Sequence, residues 1–230
     1  MSEPVVLCFS GGKDCSLAHW EVSQGSEFHV GVLLSTVTPA YDRISMHGVR
    51  RSLLRMQAEA LGLPLMEVEI SPGASNVEYE AAMETKLNEL SRQGFRTIVF
   101  GDIFLEDLRE YRENQMAQLG WQCLFPIWKR DSHELAETFL QLGFRAKTAC
   151  VDPRKLDRTF VGADYSREFL DRLPPGIDPC GENGEFHTFV YDSPLFREPI
   201  AIETGQVVER DGFLFCDLVS SEATAMPLNG

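Results

Sequence analysis

A short apolar run, Val5-Val6-Leu7-Cys8-Phe9, leads directly into Ser10-Gly11-Gly12-Lys13-Asp14, and this junction constrains the chain more than any other segment. A buried strand, then paired glycines, then a helix start is an arrangement that binds phosphate. Adjacent glycines let the backbone approach an anion closely. The free N–H groups of the helix start face that anion, and the helix dipole adds favourable potential. Ser10 offers a hydroxyl donor and Lys13 a mobile positive charge. The spacing is not the G-x-x-x-x-G-K-[ST] of a Walker loop, which disfavours kinase-type phosphoryl transfer, and it lacks the G-x-G-x-x-G of a dinucleotide fold.

The first half of the chain continues this strand–helix rhythm. Val30–Val37 reads as a second strand, and Arg50–Leu61 as a helix with Leu53, Leu54, Ala58 and Leu61 at helical spacing. Leu65–Ile70 is predicted as a third strand, Asn76–Ser91 as a long helix capped at Asn76, Thr97–Phe100 as a fourth strand and Leu105–Leu119 as a helix. Strands alternating with helices of this length imply βαβ units, a parallel sheet and the α/β class. Such sheets bind ligands beyond the carboxyl ends of their strands. Ser10–Asp14, Thr38–Gly48 and Gly101-Asp102 all follow such ends and are expected to share one crevice.

After about Pro126 the rhythm changes. Asp131–Leu142 and Tyr165–Leu173 read as helices, and Arg145–Val151, Phe186–Tyr191, Ile200–Arg210 and Phe213–Val219 as strands. Asp211-Gly212 is a hairpin signal between the last two. The expected division is residues 1–126, a smaller α+β lobe over 127–219, and a loosely ordered tail over 220–230.

Composition narrows the function classes. At 230 residues and 43% hydrophobic, the chain can bury a substantial core. Its net charge of −14 argues against nucleic acid as a partner, because phosphate neutralisation dominates that affinity. No run is long and apolar enough to span a membrane, and no basic segment precedes an apolar leader, so a cytoplasmic location is expected. The six cysteines form no C-x-x-C pair and read as reduced thiols, with Cys8 and Cys216 in apolar runs. No two histidines have metal-ligand spacing. His19, His29 and His133 read as structural or surface residues. His47 falls in the loop at the expected crevice, and His187 on a strand that turns it toward solvent or cleft. Trp121 and Trp128 read as packing residues.

A second constellation is Asp178-Pro179-Cys180-Gly181-Glu182-Asn183-Gly184-Glu185-Phe186-His187-Thr188. By spacing alone its carboxylates could bind an ammonium or Mg²⁺, or form an acidic surface loop. The Ser10–Asp14 segment resembles the S-G-G-x-D-S loop of the PP-loop, or N-type, ATP pyrophosphatases, with Cys15 in place of the last Ser and Ser16 beyond. Asp178–Thr188 resembles the C-G-E-G-G-E-Y-x-T signature of the diphthine–ammonia ligase family. Further matches to that family lie in order. Gln57–Leu65 is similar to Q-A-E-A-x-G-I-P-L, Gly101-Asp102-Ile103 with Arg109, Glu113 and Asn114 to G-D-I…R…E-N, Pro126–Asp131 to P-L-W-x-R-D, and Tyr191–Phe196 to D-x-P-L-F. The resemblance runs from about Val5 to Phe196. It departs at Cys15, at Asn183 where the signature has glycine, and at Asp107-Leu108 where diphthamide-making members tend to have Tyr-Gln. These departures bear on the acceptor more than on the ATP chemistry.

The resemblance implies a Rossmann-like (HUP-type) parallel sheet with helices on both faces, plus the smaller C-terminal lobe. It also implies ATP-dependent amidation, in which a carboxylate attacks the α-phosphorus, pyrophosphate leaves, and ammonia displaces AMP from the acyl-adenylate. On that basis Lys13, Asp14, Glu182 and Glu185 are expected to be catalytic. Ser10, Gly11, Gly12, Lys13, Asp14, Ser16, Gly101 and Asp102 would hold ATP, and Asp14 and Asp102 would hold Mg²⁺. His47, Arg109, Glu113, Gly184, Glu185 and Thr188 would contact the acceptor, a small-molecule or protein carboxylate, and ammonia. Self-association into a homo-oligomer is expected. Two alternatives stand beside this reading. One is a non-catalytic adenine-nucleotide sensor. The other is a PP-loop sulfur-transfer or tRNA-modifying enzyme with Cys15 or Cys180 as a thiol relay.

Overall fold

In a computed structural model, five parallel strands carry the N-terminal half: β1 (Glu3–Cys8), β2 (Phe28–Thr38), β4 (Leu65–Glu69), β5 (Thr97–Val99) and β6 (Gln122–Leu124). Their spatial order is β4-β2-β1-β5-β6. A two-residue strand, β3 (Arg43–Ile44), pairs antiparallel with the end of β2. The structure describes residues 2–45 and 47–221. Met46 and most of the expected tail, residues 222–230, lie outside the described residues.

The helices between the strands are α1 (Lys13–Gln24), α2 (Arg51–Leu61), α3 (Asn76–Arg92) and α4 (Glu106–Gln118). Adjacent strand residues point to opposite faces, so Val6 and Leu7, both fully buried, feed two cores. On one face Val6, Val32, Leu34 and Ile98 pack with Met83 and Leu87 of α3 and Met116 of α4. On the other, Leu7 and Leu33 pack with Leu17 of α1 and Leu54 of α2. Helices therefore cover both faces, as expected for an α/β chain with a parallel sheet.

The C-terminal part contains α5 (Ser132–Gln141), β7 (Arg145–Val151), α6 (Arg167–Asp171), β8 (Phe186–Asp192), β9 (Ile202–Arg210) and β10 (Phe213–Ser220). Its four strands form an antiparallel sheet ordered β8-β7-β10-β9. Asp211 and Gly212 both take positive φ, at 52° and 79°, as a tight β9–β10 hairpin turn requires. The core of this part is continuous with one face of the parallel sheet, so Phe139, Phe144, Phe189 and Leu214 belong to the same cluster as Leu7.

Some elements differ from expectation. The α3 cap is Ser75 rather than Asn76. Ser75 Oγ accepts from Glu78 N at 3.3 Å and Glu78 Oε2 accepts from Ser75 N at 2.8 Å, a capping box that satisfies two helix-end donors. The helix expected over Tyr165–Leu173 is only Arg167–Asp171. Tyr165 is instead held by its N–H on Ala146 O at 2.8 Å, beside β7.

Candidate active site

β1 lies where the strand order reverses, with β2 on one side and β5 on the other. A crevice opens beyond the carboxyl ends at such a point. Here it is a cleft of about 470 Å³, and Ser10, Lys13, Asp14, His47, Asp102 and Glu182 are among its lining residues. The three loops expected to converge do so, and the loop from Gly181 joins them.

The glycines follow from this geometry. Gly11 has φ +77°, and a side chain there would meet Gln57 Oε1 at 2.4 Å. Gly101 lies against the start of α1, where an added Cβ would fall 2.8 Å from the Asp14 carbonyl carbon and from Cys15 N. The loop is held from below. Gly11 O accepts from Val190 N of β8 and from Gln57 Nε2, both at 2.9 Å, and Gln57 Nε2 also donates to Val190 O at 2.6 Å. Lys13 N donates to Thr188 Oγ1 at 3.0 Å. Gly12, the N-cap of α1, provides no side-chain cap, which leaves the helix start open to an anion.

Lys13 is 2% exposed. Its ammonium donates to Asp14 Oδ1 and Oδ2 at 2.6 and 2.8 Å and to the Cys180 carbonyl. Burial pulls its pKa down, but the charge and hydrogen bond of Asp14, with Cys180 and Asp178 adding to them, together outweigh burial and raise it. Across the cleft Asp102 pairs with Arg112 Nε at 2.7 Å. Burial raises the Asp102 carboxyl, and Arg112 offsets that only in part. Arg112 lies 4.4 Å from the Phe100 ring centroid, and its cation stays charged through Asp102 despite burial. Among the described residues no group of three or more metal-binding side chains is present. Asp14 and Asp102 suit Mg²⁺ only in its phosphate-dependent mode, with one or two carboxylates and the remaining ligands from phosphate and water.

Glu182 Oε1 accepts from Ile103 N at 2.8 Å and from Phe104 N at 3.4 Å, so it bridges the signature loop to the loop after β5. Burial pushes its carboxyl up to about 7. The Ile103 amide pulls the other way, and the negative charges of Asp14 and Asp102 add to the rise. Glu185 is 2% exposed and does not line the cleft. Its Oε1 accepts from Asn183 Nδ2 at 3.2 Å and from Asp178 N at 3.5 Å, and its buried Oε2 has no partner among the described residues. Asp178 in turn accepts from Glu182 N at 2.8 Å, and Tyr165 donates its hydroxyl to Pro179 O at 2.8 Å. The 178–185 turn is thereby tied at several points. Gly184, with φ +76°, belongs to this turn and not to the cleft lining.

Other expected site residues are placed elsewhere. Ser16 turns its hydroxyl back onto Gly12 O at 2.8 Å. Arg109 lies over the rings of Phe125 and Trp128 at 4.6 and 4.7 Å and pairs with Glu113 at 2.8 Å, and neither Arg109 nor Glu113 lines the cleft. Arg112, three residues on, does. The thiols are poor nucleophiles. Cys15 and Cys180 are 5% and 2% exposed, and burial raises both above the ordinary thiol range, which disfavours a thiolate relay. All six cysteines are free. Cys8 lies half-buried in the cleft wall, and burial raises it to about 11.

His47 and His187 meet in the cleft with ring centroids 4.4 Å apart and planes tilted by 36°. Burial lowers both, with the Lys13 charge adding to it; His187 falls to about 4, and His47, pushed also by His187, falls well below the ordinary imidazole range. Both rings are neutral at pH 7. Helical or strand periodicity cannot reveal this contact, since 140 residues of chain separate the two.

Comparisons with known proteins agree along most of the chain. The family model of the diphthamide synthase N-terminal domain matches residues 3–122, and that of the diphthamide synthase C-terminal domain matches residues 131–218. A diphthine–ammonia ligase of Schizosaccharomyces pombe is 28% identical over 237 residues, covering 93% of this chain and 38% of that protein. Proteins of the same name from Danio rerio and Homo sapiens are 28% and 27% identical, cover 89% of this chain each, and are themselves covered over 88% and 84%. The chain thus spans well under half of the yeast relative and most of the vertebrate ones. A solved structure titled as a predicted subunit of tRNA methyltransferase from Methanocaldococcus jannaschii aligns at a TM-score of 0.47 and 16% identity, covering 83% of this chain and 98% of that one. Among the described residues no helix is long and apolar enough to cross a membrane.

Proposed function

The chain belongs to the diphthamide synthase family, and from that premise we propose that it is an ATP-dependent ligase that amidates a carboxylate with ammonia through an acyl-adenylate. The observation that carries this reading is the convergence of the open α1 start, Lys13, Asp102 and Glu182 on one cleft at the switch point of the sheet.

ATP would lie with its phosphates over Gly11–Asp14, where backbone N–H groups and the helix dipole favour negative charge. Lys13 would exchange the Asp14 carboxylate for phosphate oxygens and so stabilise the charge that grows on the departing pyrophosphate. Asp14, released from Lys13, and Asp102 would hold Mg²⁺ together with those oxygens, and the metal would supply charge neutralisation at the phosphates. The acceptor carboxylate would attack the α-phosphorus from the side of Glu182 and His47. Glu182, with a pKa near neutrality, suits a group that meets an ammonium ion and can also take a proton. Glu185 would act one step removed, by holding Asp178 and Asn183 and so the turn that presents Glu182. Diphthine, named by the relatives, is the first acceptor to try, with other carboxylates beside it because of Asn183 and Asp107-Leu108.

The test is to incubate the chain with Mg-ATP, ammonium chloride and a panel of carboxylates headed by diphthine. AMP and pyrophosphate should appear only with an acceptor present. Release of ADP and phosphate would overturn the reading.

A further inference from the structure

A second cavity, of about 650 Å³, adjoins the cleft where Ile44, Ser45, Ile70 and His187 line both. The chemistry above leaves it without a role. Its volume falls in the range of small-molecule sites, roughly 300–1,000 Å³. One wall comes from the segments after β2 and β4. The other comes from the C-terminal sheet, through His187 of β8 and Phe213 and Phe215 of β10. The two walls are fixed to each other. An added Cβ on Gly48 would meet Phe215 Cδ1 at 2.4 Å, so that ring rests on the loop, and Arg43 Nη1 donates to Asp217 Oδ1 of β10 at 2.7 Å. The space is therefore built into the fold, and a ligand there loses little to ordering the protein.

Its lining carries groups that a ligand would satisfy. Tyr41 is left 58% exposed on the wall after β2. Arg210 and Asp211 line the cavity side by side where β9 turns into β10, and neither lines the cleft. Arg210 lies over the Phe215 ring at 5.2 Å. Among the described residues neither Arg210 nor Asp211 has an ion-pair partner, and they do not pair with each other. Arg43, the other arginine here, is already engaged by Asp217. One free cation and one free anion thus stand next to each other in a largely apolar space that opens onto the phosphate cleft.

We propose that this cavity holds the acceptor, and that the acceptor is a free amino acid whose side-chain carboxylate is the one amidated. This rests on the amidation reading above and names its substrate class. The α-carboxylate would take the planar fork of Arg210, and the α-ammonium would take Asp211. The apolar stem would lie along Tyr41, Phe213 and Phe215, and the side-chain carboxylate would pass Ser45 and His187 into the cleft. A simple acid leaves Asp211 unanswered, and an amine-bearing acid without the α-carboxylate leaves Arg210 unanswered. A residue inside a polypeptide has neither free group, so the charge pair favours a small molecule over a protein side chain.

Titration calorimetry with Mg²⁺ and α,β-methylene-ATP present tests this with three probes that share one benzoate carboxylate. 4-Carboxyphenylalanine carries both head charges, 3-(4-carboxyphenyl)propionate lacks the ammonium, and 4-(2-aminoethyl)benzoate lacks the head carboxylate. The wild-type chain should bind the first about fivefold more tightly than either of the others. Arg210→Ala should lower 4-carboxyphenylalanine to the level of 4-(2-aminoethyl)benzoate and leave the latter unchanged. Asp211→Asn should lower it to the level of 3-(4-carboxyphenyl)propionate, and asparagine tolerates the positive φ of that turn, so the hairpin is kept. Equal affinity for the three probes, no binding of 4-carboxyphenylalanine, or the same loss for all three in each variant would overturn the proposal. A chain that binds the probes as expected but forms no AMP with any carboxylate would instead overturn the amidation reading itself.

Discussion

A methyl group at Gly101 tests the packing that positions the phosphate loop. An ideal Cβ there would lie 2.8 Å from the Asp14 carbonyl carbon, 2.8 Å from Cys15 N and 2.9 Å from Asp14 O. All three are backbone atoms of the first turn of α1, so no side-chain rotation relieves the contact. Carbon atoms in contact sit about 3.5–4.0 Å apart, so the end of β5 and the start of α1 must separate by roughly 1 Å. Overpacking of this kind costs about 1–3 kcal/mol. The displaced atoms are those proposed to face the nucleotide phosphates, so on that reading most of the cost should appear in ATP binding. At 1.4 kcal/mol per tenfold, Gly101→Ala should raise the Kd for Mg-ATP about 5- to 150-fold. Titration calorimetry measures this directly, with urea unfolding alongside to record any loss of stability. Gly25→Ala is the control. Gly25 has an ordinary negative φ, and its nearest contact would be Val22 O at 3.6 Å, so stability should change by no more than about 0.5 kcal/mol. If Gly101→Ala binds Mg-ATP as tightly as wild type and unfolds at the same urea concentration, α1 does not abut β5 and the loop is not where the phosphates bind.

Two further perturbations follow from the same architecture. Gln57→Leu removes the donor that serves both Gly11 O and Val190 O; urea unfolding should show a loss of about 1–3 kcal/mol, and calorimetry should show weaker ATP binding. Asp217 on β10 accepts from Arg50 and Arg43, which anchor the loop that carries His47, and these bonds, Arg50's first, hold its carboxyl down at about 2. Its folded pKa lies below the ordinary value of 3.8, so its contribution is present above pH 3.8 and disappears as pH falls toward 2. Asp217→Asn should therefore lose stability relative to wild type above pH 4, by about 0.5–1 kcal/mol for a partly exposed pair, and the difference should narrow as pH falls toward 2, close below that, and shrink in high salt.

The legibility of this chain differed sharply between backbone and side chains. The continuous apolar run at β1 and the glycine pair behind it are local signals, and strand, loop and helix start appear where they direct. β6 was not legible, because a strand of three residues is too short to carry a period, and β5 alone supplies its register. On α4 the phase was the difficulty. Glu106–Gln118 is polar around most of its circumference and buries only Met116, so no apolar stripe marks the side that faces the cleft. The motif spacing drew attention to Arg109 and Glu113, while Leu108 and Arg112 of the helix, with Leu105 just before it, line the cleft. Ser16 was readable as a hydroxyl near the loop, but its preference for the carbonyl four residues back removes it from the ligand side. The two carboxylates of the signature looked alike in sequence. Burial with different partners separates them, with Glu182 facing the cleft and Glu185 holding the turn.

In the proposed reaction the acceptor carboxylate becomes an acyl-adenylate. Carboxylate labelled with ¹⁸O, turned over with unlabelled ATP and ammonium, tests this by mass spectrometry of the products. Attack on the α-phosphorus followed by amide formation leaves one carboxylate oxygen on AMP, so labelled AMP and unlabelled pyrophosphate are predicted. Unlabelled AMP, or label in phosphate or pyrophosphate, would rule out the acyl-adenylate.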